Sequence, residues 1–596
     1  MKRISCCARL MSVVIKGTVS GIPATLWLYR EKMMAGDNPI SRKSLAVIWP
    51  ELLLTGFVFY MAVLYVGFSG TRCFNFDEFE VLYAGASLLR GKTLYAAQIE
   101  PHFPIFNICI AQLVNLSGFN ATAIIIARYF VLLTSAVALV FTYKIGKIIR
   151  DKRTGLIAVC LTLSSIVFFN KGLEIRHDVF NMTFNVIAAY YGLRYIQQKR
   201  YRYIILSAIF LGVAFASTQK AVVWNLGIII GLLLYYLRDK SYKDVSKIAL
   251  YYLLILFMPL LISLFYLVFS HGEDMYMFLS YAVAKQIIFY SPYAQELYPF
   301  PYNRYDLFKE LVFQNHLLYA LSIGGLSTVI IHWFKSNTER IVIAVWALTG
   351  ILFYITVKRP FFQTFLPSVV PMSILAAGLL SDLFKEYNSL NICKKAGIGI
   401  TATSLLFVWP LFLANDEISD NDQMMRQMDN ITFCLENLKN DDKVLCFTGN
   451  QIFFEPVFKV DWEEGGTPIY DYDPTFFENK MINEQCKVII NDYRTRLLSE
   501  KVKKKIRENY LPVNNGDIFI PGLTLEPGET IEKKVWIEGY YYSPIISLEI
   551  DQKKIESKLI KLEQRRYRIK NNANRQVSLI YIFDKDKFLA DSIVSL

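Results

Sequence analysis

No CxxC pair and no HxxH or HExxH spacing occurs in the 596 residues, so the usual thiol-redox and zinc frameworks are missing. Histidine is scarce, with five residues, and cysteine numbers nine. Charge is sparse as well: 19% of residues are Asp, Glu, Lys or Arg, against 54% hydrophobic and 15% aromatic. A mean hydropathy of +0.32 excludes an ordinary soluble protein of this length. There is no internal repeat and no low-complexity segment. The N-terminus lacks the short apolar core and small-residue cleavage site of a secretory signal, so the first apolar run is expected to remain as an uncleaved anchor.

What is present is a series of apolar runs up to Ala414, each of about 17 to 25 residues and so long enough to cross ~30 Å of hydrocarbon. Spans are expected near 45–67, 121–143, 154–171, 179–196, 203–218, 221–237, 248–270, 316–334, 340–357, 365–382 and 396–414. The runs then stop. Residues 415–596 carry 26 Lys+Arg against 31 Asp+Glu and read as a separate aqueous domain.

The net charge of +13 raises the question of nucleic acid, but its distribution points to membrane orientation. Segments 1–44, 144–153, 194–202, 238–247, 335–340 and 382–395 hold 26 basic and 8 acidic residues, whereas the alternate loops hold 11 of each. The positive-inside rule makes the first set cytoplasmic. Segment 103–118 is short and carries Asn107, Gln112 and Asn115. If it spanned, every later loop would change sides, so it is expected to be a juxtamembrane helix on the outer surface. Eleven crossings leave the N-terminus cytoplasmic and the C-terminal domain outside.

Charge at membrane depth is costly and is usually kept where it acts. Here the spans are largely uncharged, apart from Glu51 and Arg128, and the ionisable residues gather at the expected outer surface. Asp77, Glu78, Glu80 and His102 follow the first span; Glu174, Arg176, His177 and Asp178 follow the third; Lys220 and then Lys358 and Arg359 complete the set. Carboxylates can act on an acceptor hydroxyl and cations on a phosphate, so this height suits chemistry on a lipid headgroup. A secondary transporter more often places such groups near the bilayer midplane. A transporter or flippase of lipid-linked saccharides is the alternative, since it too needs a headgroup cavity; a membrane scaffold presenting the outer domain is a third reading.

These residues resemble, in order and content, the GT-C glycosyltransferases, specifically the protein O-mannosyltransferases and the bacterial lipid A aminoarabinose transferases. Phe76-Asp77-Glu78-Phe79-Glu80, with Tyr83-Ala84 and Leu88-Leu89-Arg90-Gly91, looks like the Asp-Glu helix of the family's first outer loop. His102-Phe103-Pro104-Ile105 is similar to a His-Pro-Pro-Leu motif, with Phe103 in place of a proline, and Ala127-Arg128 stands where the family carries an arginine. Arg176-His177-Asp178 resembles an Arg-Pro-Asp site, and Phe365-Leu366-Pro367 through Pro371 a Leu-Pro-rich late span. Ser217-Thr218-Gln219-Lys220 matches the family's motif only in its lysine. The resemblance covers about residues 70–385.

The resemblance implies a polytopic α-helical membrane protein of GT-C type, in the cell (inner) membrane, with a catalytic region 45–414 that includes an outer loop 69–120. It implies an inverting sugar transfer from a polyprenyl-phosphate donor to a hydroxyl on a lipid, glycan or protein acceptor. Asp77 would be the base, with Glu78 and Asp178 beside it. Lys220, His102, Arg128, Arg176, Lys358 and Arg359 would face the donor phosphate. No cofactor and no nucleic-acid partner is implied; a divalent metal stays open.

Plainer roles compete. Asp77 with Glu80 fits a capping box, Glu78 a solvated first-turn acid, Arg176 and Asp178 neighbouring loop charges, Lys220 a snorkelling lysine, His102 a loop histidine, and Lys358 with Arg359 a hairpin anchor. Asp471-Tyr472-Asp473 spells a DxD motif, but an Asp/Pro-rich turn is the simpler reading. In the C-terminal region, runs 443–449 and 487–491 read as buried strands and 498–508 as a helix, giving an α/β unit over 415–525. Segments 534–537 and 577–582 point to a β-sandwich over 526–596, which binds acceptor or covers the catalytic loops. Two of Cys434, Cys446 and Cys486 could pair.

Overall fold

The computed structural model describes residues 42–97, 102–238, 242–271, 304–333, 338–357, 361–387, 421–458 and 472–588, with a few positions between them. Lys358, Arg359, Asp471 and the expected span 396–414 lie outside the described residues. One compact unit ends at Gly56 and a second runs from Phe57 onward.

The membrane-embedded part is built from α1 (Arg42–Thr71), α2 (Phe76–Leu89), α3 (Ile105–Ser117), α4 (Thr122–Ile149), α5 (Lys152–Leu163), α6 (Ile166–Lys171), α7 (His177–Gln198), α8 (Tyr201–Ser217) and α9 (Ala221–Arg238). After these come α10 (Tyr242–Leu256), α11 (Met258–His271), α12 (Arg304–Gln314), α13 (His316–Ile331), α14 (Thr338–Thr356) and α15 (Phe362–Tyr387). Among the described residues, six helical stretches are long and apolar enough to cross a membrane: Glu51–Thr71, Thr122–Ile149, Ala221–Arg238, Ile248–Leu267, Glu339–Thr356 and Phe362–Leu383. The other expected spans within the described residues, 154–171, 179–196, 203–218 and 316–334, fall on shorter or more polar helices. The expected span 154–171 breaks at Ser164-Ser165 into α5 and α6. α7 is long enough but buries Asn181 and Asn185 against neighbouring helices, which lowers its apolarity without exposing those amides to lipid.

α3 has 13 residues, about 20 Å at 1.5 Å per residue, and is too short to span. It packs instead on α2, α4 and α8. α15 is the most enclosed of the six spanning stretches and lies against α5, α6, α7, α13 and α14, although Pro367 and Pro371 are inside it. In lipid, helices associate by close packing rather than by excluding water, so small residues mark the crossings. α4 meets α5 in this way: a Cβ on Gly146 would lie 2.6 Å from the Cα of Gly155.

The C-terminal region opens with α16 (Asn421–Asn437), and β1 (Lys443–Leu445) then pairs in parallel with β2 (Glu455–Pro456). Helix α17 (Pro474–Asn483) leads to β3 (Val488–Ile490), also parallel to β1, and α18 (Glu500–Asn509) leads to β4 (Tyr510–Val513). β5 (Ile518–Leu525) follows, then β6 (Thr530–Lys534), β7 (Gly539–Tyr542), β8 (Leu548–Ile550), β9 (Lys553–Lys554), β10 (Leu559–Leu562), β11 (Arg566–Asn571) and β12 (Val577–Ile582). The larger sheet runs β10-β7-β12-β5-β3-β1-β2, with β4 also on β5; the smaller runs β9-β8-β11-β6.

β5 pairs Phe519 with Ile489 on one side and Leu523 with Leu579 on the other. The expected α/β unit and β-sandwich therefore share one sheet across residue 525. They also share one core, in which Leu445, Ile489, Leu525, Trp536, Ile569 and Leu579 are all buried. Asp473 of the DxD sequence caps α17, accepting hydrogen bonds from Thr475 N at 2.8 Å and Phe476 N at 3.0 Å. Cys434, Cys446 and Cys486 are buried free thiols, so the expected pairing among them does not form.

Candidate functional site

α2 is capped by Asn75, not by Asp77. The Asn75 side chain accepts from Glu78 N at 3.1 Å, and Asn75 N donates to Glu78 Oε2 at 3.1 Å. This is a capping box two residues earlier than Asp77/Glu80, and it leaves Asp77 with no capping duty.

Glu78, expected as a catalytic or solvated acid, has no exposed surface. Arg128, expected to hold phosphate, grips it with two bonds, Nε to Oε1 at 2.8 Å and Nη2 to Oε2 at 2.6 Å. Ile175 N adds a bond to Oε1 at 3.2 Å. The other guanidinium hydrogens reach the carbonyls of Arg72 and Cys73, and the group lies 3.9 Å over the Phe74 ring. Neither residue lines the pocket described below. The pair satisfies itself and ties α2, α4 and the turn before α7 together.

A second knot sits on Glu174, which is 1% exposed. It accepts from Arg72 Nη2 at 2.9 Å, Lys171 Nζ at 2.8 Å and Arg176 Nε at 2.6 Å. Burial opposes its charge, but Lys171 and Arg72 outweigh that and hold its carboxyl below the ordinary range. Arg176 in turn forms an ion pair through Nη2 with Asp77. Burial draws the Arg176 guanidinium down to about 10, so it stays a cation at neutral pH.

These elements surround a pocket with about 420 Å³ of open space. Asp77, Glu80 and Val81 of α2 form one wall, Ile175, Arg176, His177 and Asp178 a second, and His102, Lys220 and Gln363 the rest. Lys220 Nζ lies 3.7 Å from Asp178 Oδ1, close enough for attraction and too far for a good hydrogen bond. The side chains of Asp178 and Lys220 are 5% and 8% exposed, whereas that of Asp77 is 42% exposed. Of the three acids expected in catalytic roles, Asp77 is thus the one a ligand can reach most freely.

The rings of His102 and His177 pack at a 47° tilt with centres 4.3 Å apart. Part of His102 faces the pocket, yet burial, and then the nearby Lys220 charge, push its imidazole down to about 3. It enters neutral chemistry as an uncharged ring rather than as the cation expected beside a phosphate. A histidine depressed in the fold takes up its proton on unfolding, so its contribution to stability is complete above about pH 6.5 and is lost as pH falls from there toward about 3. His102→Gln is therefore expected to flatten the fall in melting temperature of the detergent-solubilised protein between about pH 7 and about pH 4.5. An equally steep fall would contradict the depressed imidazole.

The pocket thus unites five expected residues, Asp77, His102, Arg176, Asp178 and Lys220, and leaves Glu78 and Arg128 outside. Glu80, Glu174 and Gln363 were not assigned from sequence. Glu80 is one turn from Asp77 on the same helix, which is the signal that could have found it. Among the described residues no group of three His, Cys, Asp or Glu side chains is arranged to hold a metal.

The family model of dolichyl-phosphate-mannose-protein mannosyltransferases matches residues 100–293. No curated protein sequence matches. Among solved structures, ArnT from Cupriavidus metallidurans in the apo state is similar at 11% identity and a TM-score of 0.56, covering 80% of this chain and 98% of that one. The same protein bound to undecaprenyl phosphate gives 10% identity, a TM-score of 0.53 and coverage of 87% and 98%. The oligosaccharyltransferase of Archaeoglobus fulgidus in the apo form gives 12% identity, a TM-score of 0.50 and coverage of 78% and 74%. The many apolar helices of this chain, its strand-rich C-terminal domain and these likenesses agree on the architecture: the chain has a GT-C type fold, similar to that of ArnT and of the archaeal oligosaccharyltransferase.

Proposed function

We propose that this protein moves a sugar from a polyprenyl-phosphate donor to an acceptor hydroxyl on the extracytoplasmic face of the membrane, with inversion. The observation that carries the reading is the 42% exposed carboxylate of Asp77 in the same pocket as a nearly buried lysine, Lys220. Asp77 takes the proton of the acceptor hydroxyl as its oxygen attacks the anomeric carbon. The bond from that carbon to the phosphate oxygen breaks, and the polyprenyl phosphate leaves with the electron pair. Lys220 and Arg176 meet the growing phosphate charge in a site from which much water is excluded, where fixed cations act strongly. Asp178 holds Lys220 within reach, and neutral His102 is a hydrogen-bonding wall. Lys358 and Arg359 would join from the segment that precedes Gln363. The undecaprenyl phosphate bound by ArnT, a protein of similar fold, supports a donor of this class.

Membranes containing the protein, incubated with a panel of radiolabelled polyprenyl-phosphate sugars, should pass label to a lipid, glycan or protein fraction. Movement of intact lipid-linked saccharide across the bilayer, without transfer, would replace the enzyme by a flippase. The phosphate assignment has its own test. Lys220→Met should weaken undecaprenyl-phosphate binding by about 10- to 100-fold, the loss of one charge-assisted contact of about 1.5–3 kcal/mol. Combining it with Asp178→Asn removes the stranded buried acid and should restore stability but not affinity. Unchanged affinity in both variants would remove Lys220 from the donor site.

A further inference from the structure

Three elements of the C-terminal domain close on the first turns of α2. Gln427 of α16 reads the backbone of Phe74 from both sides, accepting from Phe74 N at 2.7 Å and donating to Phe74 O at 2.9 Å. Arg494, 3% exposed, lays its guanidinium 3.9 Å over the ring of Phe76 and donates to Phe447 O at 3.0 Å. Its turn is fixed by Asp492, whose Oδ1 accepts from Arg494 N at 2.8 Å and Thr495 N at 2.7 Å. Gly449, at φ +80°, comes so near α2 that a Cβ there would lie 3.0 Å from Cβ of Phe79. Past the far end of the helix, Lys92 pairs with Glu455. Residues 74, 76 and 79 bracket both the cap Asn75 and Asp77, yet Asp77 itself is left facing the pocket.

We propose that the C-terminal domain positions the catalytic base, with Gln427 and Arg494 as positioning residues that set the start of α2 and hence the direction of the Asp77 carboxylate. The inference rests on Asp77 acting as that base. An amide that pairs with both backbone groups of one residue fixes its orientation as well as its distance, and a base displaced by about 1 Å loses on the order of 10²-fold in rate. The domain thereby couples its own placement, and anything bound to it, to turnover.

The test uses the full-length protein in lipid nanodiscs, with hydrogen exchange followed by mass spectrometry. Gln427→Ala and Arg494→Ala should each raise exchange of amides 74–80 about tenfold while β5 and β12 keep their protection. With a transferable donor, turnover should fall about 10- to 100-fold at unchanged KM for that donor, and Gln427→Glu, which keeps the acceptor for Phe74 N, should recover part of it. Should β5 and β12 also lose protection, Gln427→Glu and Arg494→Lys are compared in the same way. Unchanged exchange at 74–80, or raised exchange with normal turnover, overturns the proposal. If Asp77→Asn retained turnover, the base assignment would fail by itself, and the exchange data would still judge the grip on α2.

Discussion

Asp77→Asn is expected to lower sugar transfer by about 10²- to 10⁴-fold, the range over which general-base catalysis contributes, while undecaprenyl-phosphate affinity changes by no more than about twofold. Asparagine keeps the size and planarity of the side chain, so the pocket wall stands. It cannot take up the acceptor proton. It also leaves Arg176 without its carboxylate partner, although Glu174 still holds Nε at 2.6 Å. The freed cation can only favour an anionic donor, so affinity is not expected to fall. Single-turnover rates and direct binding on the same preparation separate the two effects. A flippase would tolerate the change, because it needs the headgroup cavity and no base. A loss of binding equal to the loss of rate would make Asp77 a structural partner of Arg176 instead.

The sequence made the gathering of charge legible because spans of about twenty apolar residues leave few places where ionisable groups can stand. It did not distinguish Asp77 from Glu78. Neighbours on a helix point about 100° apart, so one faces the pocket and the other the bundle. Which does which depends on Arg128, fifty positions away and on another helix. The cap was missed for a related reason: Asn75-x-x-Glu78 and Asp77-x-x-Glu80 are equally good capping sequences. Contact with Arg128 and Ile175 selects the first. The shared sheet was beyond reach as well, since β5 finds its partners in β3 and β12, and residues 519 and 525 look the same whether a domain ends there or continues.

Arg128→Met is expected to cost about 3–5 kcal/mol of stability, the usual effect of removing one member of a buried ion pair. Glu78 would keep the amides of Ile175 and Asn75, with its charge otherwise uncompensated in a site that has no exposed surface. The carbonyls of Arg72 and Cys73 would lose their donor in the same step. Lysine is a poor substitute, because one ammonium cannot reproduce a two-bond grip on the carboxylate and also lie flat on Phe74. Adding Glu78→Gln to Arg128→Met removes the stranded charge and should recover part of the melting temperature, although the cap on α2 and the tie to the turn before α7 remain weakened. The pair of variants also decides between two roles for Arg128. As a phosphate ligand it would leave the melting temperature intact and lose donor affinity. As the partner of Glu78 it loses the fold first, and what donor affinity survives in the double variant is set by Lys220 and Arg176.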